Sequence, residues 1–274
     1  MDKYDNPNWE NQGEGQVAEG EMSHSDKIVG LITSPAEMYS TASKFPIRTI
    51  DWILPLIFVL IVTIISTSVV LSVPEIKAEV IQKAKEKIDK NIEDARKAGK
   101  PVDELKVQKE IMYKQMDYIG SPVVLIVQSI AIFVMGFVIF LIMTGTIFLM
   151  FKALFSSKVE FIQAMFIVGI VEYISVASIL VSTLISFLTK KPFTGLNAAI
   201  FTTADSTSFL HLILSKLDPF SIATYVLIGV GYAKFSKSEK TKEYVLTMIA
   251  AWLGLSMLWF YASNNIPFLK LFAS

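Results

Sequence analysis

No cysteine occurs among the 274 residues, and there are only two histidines, His24 and His211. Without cysteine the chain has no disulfide framework and no thiolate metal site, and its redox compartment leaves no trace. Neither histidine has a second one at helical spacing or a carboxylate cluster beside it, so no metal site is expected. No Gly-x-Ser-x-Gly elbow and no Walker-type phosphate loop is present. Gly229-Val230-Gly231 lies inside an apolar run with no strand ahead of it. It therefore reads as a place of close helix contact rather than a nucleotide fingerprint. Nothing sets a nucleophile beside a base, so neither an enzyme nor a cofactor is expected.

An excess of charge of one sign is also missing. Lysine plus arginine and aspartate plus glutamate each number 25. The balance hides an asymmetry, because Met1 to Ser25 carries six acids against Lys3 alone. What the chain has in quantity is apolar sequence, at 53% of residues. Five stretches are long enough, or nearly so, to cross a bilayer: Ile53 to Val73, Val123 to Phe151, Phe161 to Leu188, Pro219 to Phe235 and Tyr244 to Phe260. A hydrocarbon core about 30 Å thick takes roughly 20 residues of helix, and stretches of about 17 qualify. The fourth is the marginal one. Backbone polar groups must be satisfied internally in lipid, so the segments are expected to be helices. The expected fold is all-α: a polytopic membrane protein with five transmembrane helices and so in contact with the lipid bilayer.

Outside the spans, residues 1–26 form an acidic tail too polar to offset ordering entropy, and disorder is expected there. The first apolar run begins near position 50 behind this tail, which reads as an uncleaved anchor rather than a signal peptide. Ser34-Pro35-Ala36-Glu37 is a helix start, with Ser34 as cap, Pro35 at the first helical position and Glu37 returning a bond to the cap. With Ile28, Val29, Leu31 and Ile32 just ahead, it predicts a short N-terminal interfacial helix at the membrane surface. Asp51 marks the edge of the first span, and Trp52 sits where an interfacial aromatic belongs.

From Glu75 to Tyr118 the composition turns to Lys, Glu, Asp and Ala. Ile76, Val80, Ala84, Ile88, Ile92 and Ala95 make a narrow apolar stripe, and Gly99 with Pro101 interrupts it. The pattern predicts an extramembrane helical hairpin between spans one and two, over 75–118. Its 11 basic and 10 acidic residues are interspersed, unlike the single-signed clusters of nucleic-acid binders. No nucleic-acid partner is expected. A protein partner through the hairpin or the tail is.

The two short connections, with Lys152 and Lys158 in one and Lys234, Lys237, Lys240 and Lys242 in the other, are basic and prefer the cytoplasm. Five spans then leave the N-terminus cytoplasmic and the C-terminus outside, with residues 262–274 as a short tail. The hairpin breaks the charge rule but is long and nearly neutral. The expected location is a cell membrane, the cytoplasmic membrane if the source is bacterial.

Two features stand out within the spans. Glu172 lies inside the third, where an ionised group costs roughly 2.5–3.5 kcal/mol. At about 100° per residue Ser175, Ser182 and Ser186 fall to one side of it. Ser178, Ser182 and Ser186 also make a small-xxx-small ridge. The pattern reads either as a polar stripe lining a binding cleft or proton path, or as a neutral Glu172 hydrogen-bonded across a serine-lined seam. In the fifth span Ala250 and Gly254 suggest a second packing patch. Asp218-Pro219 pairs a cap with a first helical residue and should start the fourth span. Glu172, Ser175, Ser182 and Asp218 are the candidate binding residues.

Ser34-Pro35-Ala36-Glu37, the Leu217-Asp218-Pro219-Phe220-Ser221 entry to the fourth span, Gly229-Val230-Gly231, the lysine-rich turn and the Trp252 helix follow one another in an order that resembles the Yip family. These are multipass proteins named for interaction with Ypt/Rab GTPases, and the bacterial members are the closer likeness. The resemblance covers roughly Lys27 to Tyr261. It implies a five-span bundle with a cytosolic N-terminus, in a Yip-like domain over 27–261. The Asp-Leu-Tyr-Gly-Pro segment of eukaryotic members has no counterpart here, so Rab binding is not implied. The resulting expectation is a non-enzymatic membrane protein that binds a protein partner or organises lipid. The alternative is a small transporter or channel using Glu172 and the serine stripe.

Overall fold

The computed structural model describes residues 20–97, 99, 101–193, 195–202 and 208–265. The acidic tail before Gly20, the polar segment 203–207 and the C-terminal tail beyond Asn265 lie outside them. Among the described residues all regular structure is helical. The helices are α1 (His24–Thr33), α2 (Pro35–Ala42), α3 (Ile50–Ser72), α4 (Pro74–Lys97), α5 (Val102–Met116), α6 (Pro122–Phe155), α7 (Phe161–Ile170), α8 (Glu172–Thr189), α9 (Phe209–Ser215), α10 (Pro219–Phe235) and α11 (Thr241–Asn265), with a 3₁₀ turn at Ala198–Phe201.

Four helical segments are long and apolar enough to cross a membrane: α3, α6, α7 with α8, and α11 up to Ser263. The marginal fourth stretch has a reason to be marginal. Its helix α10 has 17 residues, about 25 Å at 1.5 Å per residue. It reaches spanning length only together with α9, from which it is bent by 65°. The chain is therefore a multi-pass membrane protein by the length and composition of its helices, with four crossings, or five if the α9–α10 pair is one bent span.

The helices sort by what they cover. α3, α7, α8 and α10 form the middle of the bundle, and α7 is buried from Ala164 to Ile170. α6 and α11 lie at its flanks and expose apolar side chains such as Ile126, Val127, Ile130, Leu255 and Leu258. Those faces have the composition of surfaces that meet lipid rather than water. Close helix approach rests on glycine. A Cβ at Gly229 would lie 2.6 Å from the Val245 Cα of α11, and one at Gly169 would lie 3.0 Å from backbone atoms of Trp52. The expected patch at Ala250 and Gly254 is absent: Ala250 is exposed and a Cβ at Gly254 would meet open space.

The N-terminal segment departs from its sequence reading. Two helices form where one was expected. The capping box belongs to Ser23 and Asp26, whose side chains exchange bonds with each other's backbone N–H, and Ser34 makes no side-chain cap bond. Helical structure thus begins inside the stretch expected to be disordered. The Ser-x-x-Asp box is itself a start signal. It was masked by the polar composition around it.

α1 and α2 dock onto the bundle. Tyr39 is fully buried, with its ring edge-on to Phe166 and Phe235, and it packs so closely on Gly231 that a Cβ there would lie 3.0 Å from the ring. Ser157 and Ser236, from the two short connections, hydrogen-bond at 2.8 Å. Phe151 stacks on Tyr232 and Tyr244 just inside them. The N-terminal helices and both basic turns therefore share one end of the bundle.

The hairpin occupies the other end. α4 and α5 pack together, with Ile88 and Leu105 buried between them. Asp89 accepts from Lys109 at 2.6 Å and from the Tyr113 hydroxyl at 2.8 Å. The base of the hairpin is tied to the end of α8 by Lys190 and Glu75, 2.6 Å apart.

Candidate functional site

The four candidate residues fall in three places. Asp218 caps α10, accepting from the Phe220 N–H at 3.1 Å and the Ser221 hydroxyl at 2.6 Å. Its oxygens serve the helix start, as the Asp-Pro pair suggests. Glu172 is the first residue of α8, directly after a one-residue interruption at Val171. The N-terminus of a helix carries unsatisfied N–H groups and a partial positive charge, which suits a carboxylate. Ser175 lies beside that carboxylate, and Tyr225 of α10 is close enough to interact with it electrostatically.

Ser182 is elsewhere. With Ser178, Thr183 and Ser186 of α8 it lines a cleft of about 490 Å³ shared with Thr63, Ser66 and Thr67 of α3 and Gln128 of α6. The volume is within the range of small-molecule sites, about 300–1,000 Å³. Val80 of the hairpin, Ile119 and Phe193 close its hairpin end. α3 and α8 pack side by side along it, and the α6 wall is formed by Val124 and Gln128.

Several wall hydroxyls are already engaged. Thr63 donates to the Val59 carbonyl at 2.7 Å, Thr67 to Thr63 at 2.8 Å and Thr183 to Ile179 at 2.7 Å. Ser186 is buried and accepts from the Phe193 N–H at 2.9 Å, which holds the loop after α8 over the cleft. Such bonding lets a hydroxyl sit in an apolar bundle without a partner on another helix. Glu172 does not line the cleft, nor does any other ionisable residue. The serine ridge and the carboxylate, read together from sequence, are separate features.

A second constellation escaped the sequence reading. At the end that carries the basic turns, Asp51 of α3 is completely buried. The Lys27 ammonium donates to its Oδ2 at 2.6 Å, with the Lys27 side chain only 3% exposed. His24 Nδ1 lies 2.8 Å from Asp51 Oδ1, and His24 Nε2 lies 2.9 Å from the Tyr173 hydroxyl of α8. Arg48 completes the ring, with Nε and Nη2 each 3.3 Å from an Asp51 oxygen and Glu21 at 3.4 Å. The Asp51 hydrogen bond holds the Arg48 guanidinium above its already high ordinary pKa. Lys27 also sits 5.8 Å from the Phe166 ring centroid.

Buried charges persist when paired and hydrogen-bonded, and removing one partner is costly. The cluster therefore fastens α1 to α3 and α8. Asp51 and His24 were both visible in sequence, one as a span-edge acid and one as a residue of the polar tail. Their pairing across 27 positions follows no helical or strand period, so spacing could not have shown it.

Among the described residues no group of three or more His, Cys, Asp or Glu side chains could hold a metal ion. The arrangement can fasten helices, hold a proton along Tyr173–His24–Asp51, and admit an uncharged or amphiphilic molecule into the cleft. No model of a known protein family matches the chain, and no curated protein and no solved structure is significantly similar to it.

Proposed function

We propose that this chain is a non-enzymatic multi-pass membrane protein of Yip-like type, and that its work is binding: a membrane lipid or a membrane-associated partner. The observation that carries the reading is the cleft between α3, α6 and α8. It is large, its walls combine hydroxyls with aliphatic side chains, and no ionisable residue lines it. A transport site for an ion would place Glu172 or another titratable group in that wall. The projecting hairpin, with Val107 and Ile111 exposed on α5, and the N-terminal helices, with Val29 and Ile32 exposed on α1, supply further surfaces for a partner or for the membrane interface. Five crossings, with the N-terminus and basic turns in the cytoplasm, complete the proposal. Purification from native membranes with identification of every co-purifying species tests it. A reproducible lipid or protein partner is expected, and recovery of the bare chain without either would overturn it.

A second reading has one observation in its favour. The third span is interrupted beside Glu172, and Tyr173, the next residue, begins the hydrogen-bonded chain through His24 to Asp51. Such a chain is a means of moving protons through a bundle. Reconstituted vesicles decide between the two. The binding reading expects no proton or cation flux from the wild type. A flux abolished by Glu172→Gln would make transport the better account.

A further inference from the structure

We infer that the cleft between α3, α6 and α8 is a site for one anionic phospholipid of the leaflet on the hairpin side; this rests on the binding function proposed above and names its ligand. The walls belong to the halves of α3, α6 and α8 nearest the hairpin, so the cleft runs from the hairpin base down into the bundle. Its α6 wall is formed by Val124 and Gln128, and the same helix exposes Ile126 and Val127 toward the acyl chains. A water-soluble ligand would have to enter past Val80, Ile119 and Phe193, which are apolar. A lipid chain of that leaflet lies at the depth of these walls.

Charge is confined to the rim. The Lys77 side chain crosses the turn at Gly120, its Nζ 3.5 Å from where a Cβ at Gly120 would be. It lies one helical turn before Val80 and next to Ile119, both lining residues. Lys191 is exposed and immediately precedes the lining residue Pro192. Among the described residues neither lysine is in an ion pair, whereas the neighbouring Lys190 is neutralised by Glu75.

Two lysines without an ion-pair partner thus stand beside the mouth, and the interior offers hydroxyls and aliphatic carbon with no charge. A phosphodiester on Lys77 and Lys191, ester groups facing Ser182 and Gln128, and a chain below them satisfy every part of that gradient. A zwitterionic headgroup would bring a cation against two lysines. Near a membrane surface each lysine contributes about 1 kcal/mol toward an anionic headgroup, so two give a preference of roughly thirtyfold.

The test uses the full-length protein in detergent micelles, titrated with phosphatidylglycerol or phosphatidylcholine and read by native mass spectrometry. One phosphatidylglycerol should be retained per chain, with roughly thirtyfold preference over phosphatidylcholine. Lys77→Glu with Lys191→Glu should abolish the preference. Ser182→Phe and, independently, Ser178→Leu should fill the cleft and lose the bound lipid, with thermal midpoints showing that each variant is folded.

Equal retention of the two lipids by the wild type would overturn the inference. So would an unchanged preference in the lysine variant, or full retention in both filled variants. Competition by chainless glycerol phosphate would also overturn it, pointing to a soluble anion. A co-purified protein partner with no lipid preference removes this lipid site and leaves the binding function intact. Retained phosphatidylglycerol together with Glu172-dependent flux does the reverse.

Discussion

Asp51 shows how much a single buried group decides in this bundle. Its two oxygens receive Lys27, His24 and Arg48 from outside the span, so one carboxylate ties α1 and the loop before α3 to the span. Asp51→Asn keeps the shape and removes the charge, leaving the Lys27 ammonium buried without its counter-ion. The expected cost is about 3–5 kcal/mol, the usual result of breaking a buried pair by removing one member. Removing both charges as Asp51→Leu with Lys27→Met should recover much of the loss, because well-packed apolar replacements of buried pairs are often neutral. Thermal unfolding in detergent measures both. A single variant as stable as the wild type would show that α1 is held by packing alone. At this scale the sequence was least legible. Asp218 declared itself as a helix cap because capping is a local geometry, whereas Lys27, His24 and Tyr173 meet Asp51 only through tertiary structure.

At the scale of elements, periodicity and composition were informative and close packing only partly so. The hairpin was readable because its apolar stripe and its Gly-Pro interruption are local signals. Helix contact at Gly229 was readable because a glycine in an apolar helix marks close approach. The same rule failed at Gly254, since a small residue permits a contact without requiring a partner to be there. Gly229→Ala should accordingly cost about 1–3 kcal/mol, because its new Cβ meets α11 backbone rather than a movable side chain, while Gly254→Ala should be tolerated. Comparing the two thermal midpoints checks the distinction, and equal losses would refute it.

The hairpin has a pH dependence of definite sign. Hydrogen bonds from Lys109 and Tyr113 hold the Asp89 carboxyl below its ordinary value of 3.8. Its folded pKa is depressed, so its contribution is present above the unfolded value and is lost as pH falls through the folded one. Spin labels at Lys90 and Lys106 should therefore report a hairpin closed at neutral pH and looser once the pH drops below the ordinary aspartate value. Asp89→Asn should loosen it at neutral pH. The pair is exposed, so the change should be a shift in population and not an unfolding.

For the molecule as a whole, hydropathy made the crossings legible, because span length is set by the bilayer and not by tertiary detail. The bend between α9 and α10 was not, and neither was the cleft, which is built by α3, α6 and α8 together, a matter of packing between helices far apart in sequence. The ends of the bundle add something hydropathy cannot. Ser157 bonds to Ser236, so the two basic turns lie on the same side whatever the orientation, and Glu75–Lys190 puts the hairpin and the end of α8 together at the opposite end. With no native cysteine, single cysteines report this directly. Ser157 itself is buried, so the exposed neighbours Lys158 and Glu239 are the better probes, with Lys87 on the hairpin. Short basic loops favour the cytoplasm. Lys158→Cys and Glu239→Cys should thus react with an impermeant thiol reagent only from the cytoplasmic side, and Lys87→Cys only from the other. Reversal of all three would invert the orientation and keep the fold. Disagreement between Lys158→Cys and Glu239→Cys would contradict the shared end, and Lys87→Cys labelling with them would mean that α3 and α6 do not cross.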